Sequence, residues 1–188
     1  MALERTFKQL RSGLGNLKEA LEAMSTIVEQ DRPPRGEVVV ATSLVDALLE
    51  VRGILEESLA AAAEAEQAAG HPLDLDRARN ALKACQEHFH LFANRFSAEL
   101  NSYDRLADLM SMGREKGRQW LSWVTVVKES LEQCSALLEV VRDQLFLCWQ
   151  ELAERIGMTS VSVQNTAIGQ QISASDVAGR GILHEGVT

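Results

Sequence analysis

Residues 120–156 read WLSWVTVVKESLEQCSALLEVVRDQLFLCWQELAERI, and their spacing decides the fold class. Alternating steps of four and three from the first residue meet Trp120, Val124, Val127, Leu131, Cys134, Leu138, Val141, Leu145, Cys148 and Leu152, with no polar interruption. That is the heptad seam of a helix packed lengthwise against others. Burying one such side chain contributes roughly 1.5–3 kcal/mol, so a stripe of this length cannot face water and requires partner helices.

The same alternation runs through the N-terminal segment at Leu3, Phe7, Leu10, Leu14, Leu17, Leu21, Met24 and Val28. Gly13 and Gly15 interrupt its composition but not its phase, which predicts one continuous helix ended by Pro33, Pro34 and Gly36 in a loop at 31–36. A second helix is expected from Glu37. Its Val38–Val40 run could be a strand on its own, but Ala41, Leu44, Leu48, Val51, Leu55 and Leu59 keep helical spacing. Gly70, His71 and Pro72 stop it, and Asp74 is placed to cap the next helix.

A third helix is predicted from Leu75 to Met110, with Leu75, Ala78, Leu82, Cys85, Phe89, Phe92, Phe96, Tyr103, Leu106 and Met110 in register. Glu99 falls on the seam where a carboxylate does not belong, so Leu100 is expected to turn inward instead. The segment between Met110 and Trp120 allows two architectures. A turn near Ser111–Gly113 gives an antiparallel four-helix bundle, the preferred reading. Unbroken heptads through Gly113 and Gly117 would instead give a helical hairpin plus one coiled-coil rod over residues 75–156, about 120 Å long. Gly157 closes the last helix, so the expected division is a bundle at 1–157 and a C-terminal tail at 158–188. From Met158 to Ser175 that tail has no charged residue and carries isolated Val161, Val163, Ile168 and Ile172, the pattern of a flexible or docking segment.

Few prolines, one tyrosine and abundant Ala, Leu, Glu and Gln agree with an all-α chain. The formal charge of −8 argues against nucleic acid as a partner. Much of the excess lies in the second helix, where Glu37, Asp46, Glu50, Glu56, Glu57, Glu64 and Glu66 face one base, Arg52. Such a face is commonly just solvated; a basic partner surface is the sharper reading. Arg114, Lys116 and Arg118 crowd the expected start of the last helix, against the helix dipole, and mark a solvated turn or an anion-contacting patch. Cys85, Cys134 and Cys148 all occupy core positions. Buried thiols in odd number suggest a reducing compartment, and the cytoplasm is the expected location. Neither a signal-peptide core at Met1–Leu10 nor a run of roughly 18 apolar residues is present.

Chemistry-bearing patterns are sparse. Glu87 and His90 have the Glu-x-x-His spacing of carboxylate-bridged di-metal bundles, but the chain holds no second copy. Cys85 and His88 could supply two zinc ligands without an evident further pair. No nucleophile elbow, phosphate-binding loop or dinucleotide glycine pattern occurs, so neither an enzyme nor a bound cofactor is expected. The last helix, by contrast, is apolar beyond its seam. Leu145 to Trp149 encircles a full turn, and Trp120 to Val127 forms a second wide stripe. Trp120, Trp123, Phe146 and Trp149 are therefore the candidate partner-binding residues. They suit a protein that works by protein–protein interaction or self-association, as an adaptor or assembly component. A membrane-acting amphipathic protein is the alternative, and a small-molecule or metal sensor bundle the second alternative.

Overall fold

The computed structural model describes residues 2–30 and 38–157, and over these the chain is all-α. The loop at 31–36, the tail at 158–188 with Val161, Val163, Ile168 and Ile172, and the side chains of Ala41 and Tyr103 lie outside the described residues. The elements are α1 (Ala2–Gln30), α2 (Val38–Ala68), α3 (Leu75–Arg95), a π-helical turn (Phe96–Leu100), α4 (Tyr103–Lys116) and α5 (Arg118–Ile156).

Pairings between elements set their directions. Arg11 meets Glu66 and Lys18 meets Glu56, so α1 and α2 are antiparallel. Arg77 meets Glu64, Ser58 meets Cys85 and Arg95 meets Glu50, so α3 reverses α2. Trp149 bonds Gln86 and Asn101 bonds Ser135, which runs α5 back along the arm made of α3, the π-turn and α4. Cys148 reaches the Thr6 carbonyl and closes α5 onto α1. The result is an antiparallel four-helix bundle whose third arm is broken.

Every seam position expected on α1 and α5 is buried, and α1 is continuous through both glycines. α2 departs by one residue. Its stripe runs Leu44, Leu48, Val51, Leu55, Ser58, Ala62 and Ala65, because the alternating step from Leu55 lands on Ser58 and leaves Leu59 half-buried. Ser58 is fully buried with its hydroxyl donated to the Cys85 carbonyl at 2.9 Å, so the polar group is satisfied inside the core.

The third arm corrects the expected boundaries. A helix continuous from Leu75 to Met110 is not formed. The backbone widens to a π-turn at Phe96–Leu100, with the Asn101 N–H donating to the Phe96 carbonyl five residues back at 2.9 Å. The extra residue rotates Leu100 into the core and Glu99 away from it, which avoids burying a carboxylate. Asn101 and Ser102 then interrupt the helix. The Ser102 hydroxyl accepts from the Arg105 N–H to start α4, and the Arg105 guanidinium donates to the Glu99 carbonyl that the break leaves open.

Reversal occurs at Gly117, not at Ser111–Gly113, and the rod over 75–156 is thereby excluded. Gly117 has φ +95° and ψ −173°, a region essentially confined to glycine where an L side chain costs on the order of 1–3 kcal/mol, so the single residue between α4 and α5 must be glycine. Gly113 lies within α4. The shift also relieves part of the charge conflict, leaving Arg118 in the first turn of α5. Arg114 belongs to the last turn of α4, where a cation complements the dipole.

α1 and α5 approach closely at Gly13, where a Cβ atom would stand 2.0 Å from the Gln144 Oε1. That oxygen is buried without a hydrogen-bond partner. Gly15 has open space around it. Gly15→Ala should therefore stabilise the protein by about 0.5–1 kcal/mol through helix propensity, read from urea denaturation midpoints. Gly13→Ala should gain less, because Gln144 must swing aside, and a larger gain than Gly15→Ala would contradict the close approach.

Leu138, mid-seam and 4 % exposed, tests the core itself. Leu138→Ala should cost about 2–5 kcal/mol, and an unchanged denaturation midpoint would remove α5 from the centre of the core.

Candidate interaction surface on the last helix

The four aromatic residues singled out on α5 divide by environment. Trp120 and Trp123 are buried, packed edge to face with ring centroids 5.3 Å apart, and belong to the core. The Trp123 Nε1 is buried without a hydrogen-bond partner. Neither indole offers surface to another molecule in this conformation. Trp149 is half-buried between α5 and α3, its Nε1 donating to the Gln86 Oε1 at 2.8 Å. Phe146 remains 40 % exposed.

Two further residues complete the surface. Val140 and Leu147, each 46 % exposed, are seven residues apart and lie on one stripe toward α1, while Phe146 lies toward α3. Between them the outward face carries Glu139, Asp143 and Gln150. Three large apolar side chains thus border a polar strip over about two turns. Their signal was present in the sequence: Val140 and Leu147 repeat at i, i+7 outside the seam, a second and shorter stripe beside the dominant one.

The expected acidic face of α2 is largely spent within the bundle. Glu50 pairs with Arg95, Glu56 with Lys18 and Arg52, Glu64 with Arg77 and Glu66 with Arg11. All are exposed or half-exposed pairs, each worth roughly 1 kcal/mol or less. Asp46 and Glu57 have no ion-pair partner among the described residues.

The metal-ligand spacings do not assemble into a site. Glu87 pairs with Lys83 at 3.8 Å, His90 is exposed and His88 half-buried. Among the described residues no group of three or more His, Cys, Asp or Glu side chains is placed to hold a metal ion. No described helix is long and apolar enough to cross a membrane.

The three cysteines are free and buried. Burial pushes the Cys85 thiol up to about 11, against a smaller opposite pull from the Ser58 hydroxyl, whose oxygen lies 3.4 Å from the sulfur. Burial also pushes Cys134 up to about 11. Cys148 is raised by burial first and then by the neighbouring Cys85 and Glu151, and its sulfur donates to the Thr6 carbonyl at 3.6 Å. These are structural thiols, with the nucleophilic thiolate disfavoured.

A thiol reagent at neutral pH should label all three about a hundredfold more slowly in the native protein than in denaturant. Folding holds the protons that the unfolded chain loses near pH 9. The thiol contribution to stability is thus fully present below pH 9 and is lost as pH rises from about 9 to about 11. Denaturation midpoints measured across that window should fall, and fall less in Cys134→Val; rapid native labelling would contradict both expectations.

These surfaces have to be read from their own chemistry, since no protein-family model, curated protein or solved structure matches the chain.

Proposed function

We propose that the protein is a non-enzymatic interaction or assembly component that receives a partner protein on the outward face of α5 around Val140, Phe146 and Leu147. One observation carries the reading. The seam of α5 is already buried, yet Phe146 and Leu147 in the C-terminal third of the same helix stay 40 % and 46 % exposed, so the bundle does not need them for its own core. Side chains of this kind flanking a polar strip match the aromatic and aliphatic anchors, with a polar rim, through which helical surfaces bind other proteins. Trp149, tied to Gln86 beside them, gives the patch a rigid edge.

A photo-crosslinking residue installed at position 147 should capture a discrete protein, and one at position 87 on the outer face of α3 should not. Phe146→Glu with Leu147→Glu should lower binding of the captured protein by about thirtyfold, the loss expected of a hot-spot pair, while the far-ultraviolet circular dichroism stays unchanged. Equal capture from both positions, or undiminished binding by the folded double variant, would overturn the assignment.

A further inference from the structure

α4 and the first turns of α5 enclose a cleft of about 430 Å³ lined by Leu106, Ala107, Met110, Ser111, Arg114 and Lys128. Its floor is apolar, two of its six lining residues are cations and none is acidic. Lys128 has one exposed carboxylate nearby, Glu132 at 3.7 Å, and Arg114 has no ion-pair partner among the described residues. An occupant that matches this cleft inserts an apolar side chain between two anions.

The chain carries that occupant on its own surface. Leu49 on α2 is 46 % exposed, although it stands next to Leu48 in the core. Helical phase places Asp46 and Gly53 one turn from Leu49 on the same face and Glu57 a further turn on, so the knob stands between the two α2 carboxylates that make no ion pair within the described bundle, while Arg52, one turn away on its other side, is paired with Glu56. A Cβ atom at Gly53 would have nothing within 4 Å of it, which leaves room for another helix to approach the α2 backbone. Knob and cleft lie toward the same end of the molecule. The Glu50–Arg95 contact sets Leu49 level with the last turn of α3, and α4 continues beyond it.

We infer that the protein self-associates by docking Leu49 of one copy, with Asp46 and Glu57, into the α4–α5 cleft of a second copy, where the carboxylates meet Arg114 and Lys128. In a pair closed by a two-fold axis each copy's knob meets the other's cleft, which doubles the contact. The interaction uses none of Val140, Phe146 and Leu147. It therefore leaves the α5 patch open for a different protein, and either assignment can fail without the other. Its dependence on opposite charges at an exposed rim makes it weaken with salt.

Sedimentation velocity of the full chain at low ionic strength should show reversible dimerisation. Arg114→Glu with Lys128→Glu should weaken it by about tenfold or more, and so should Asp46→Lys with Glu57→Lys. The decisive sample is an equimolar mixture of the two charge-reversed proteins. Each repels its own kind, but every contact between unlike chains regains opposite charges, so the mixture should dimerise as the unmodified protein does. All four substitutions are at exposed positions, and circular dichroism confirms that each variant is folded before mixing. A protein that stays monomeric to roughly 500 μM, or folded variants that do not associate on mixing, would overturn the inference.

Discussion

Water must be kept from a file of apolar side chains that runs from Trp120 to Leu152 along α5, and the remaining helices are arranged by that requirement. α5 has 39 residues and a length of about 58 Å, whereas α1, its main neighbour, has 29 and spans about 43 Å. The Thr6–Cys148 contact and the Gly13–Gln144 approach fix the register between them and bring Gln30 to the level of Val124–Val127. The first turns of α5 thus project past the end of α1. α4 covers them. With Leu109 buried and Leu106 and Met110 half-buried against the core, it packs along the first turns of α5 around Trp120, past the end of α1. The cleft between α4 and α5 arises from this division, since two helices alone cannot close around a seam as four can.

Where the apolar period was uninterrupted, the sequence specified the structure residue by residue. α1 shows this: Gly13 and Gly15 lower helix propensity, but eight phased side chains from Leu3 to Val28 outweigh them and the helix continues. The break in the third arm was harder to read because it is set by burial and not by a breaker residue. Glu99 on the seam was its visible sign. The consequence, a widened turn that exchanges Glu99 for Leu100, depends on the energy of burying a carboxylate relative to distorting a helix. Ser102, which caps α4, was the second sign. Its role is evident only once Asn101 is known to leave the helix.

Glycine position misled in a related way. Gly113 and Gly117 are equivalent as letters, four residues apart and both able to bend a chain. Heptad phase across them is unbroken, so pattern alone could not choose between a turn at either and no turn at all. The choice rests on tertiary contact: Asn101 with Ser135 requires the arm to have extended before it reverses, which places the reversal at Gly117. Exposure on α5 was likewise only partly legible. The wide stripes around Trp120 and Phe146 look alike in sequence, but one faces the extra cover of α4 and the end of the bundle, and the other faces outward.

The two ends of the bundle are also packed differently. Toward the α2–α3 connection the facing residues are Ala62, Ala65, Ala68, Ala78 and Ala81, small side chains that let two backbones approach. Toward α4 the layers are filled by Phe89, Phe92 and Phe96, whose rings succeed one another at 6.1 and 5.8 Å. The side chains between α2 and α3 are thus small at one end and bulky at the other. At the alanine end α2 and α3 are also joined by the Arg77–Glu64 ion pair. At the aromatic end the π-turn takes up the change of phase, and α4 packs against α5. The alanine-rich end of α2 is therefore more than a stretch of high helix propensity, and the phenylalanine layer is more than filling. The aromatic layer passes directly into the π-turn, which sets the phase in which α4 meets the overhang of α5.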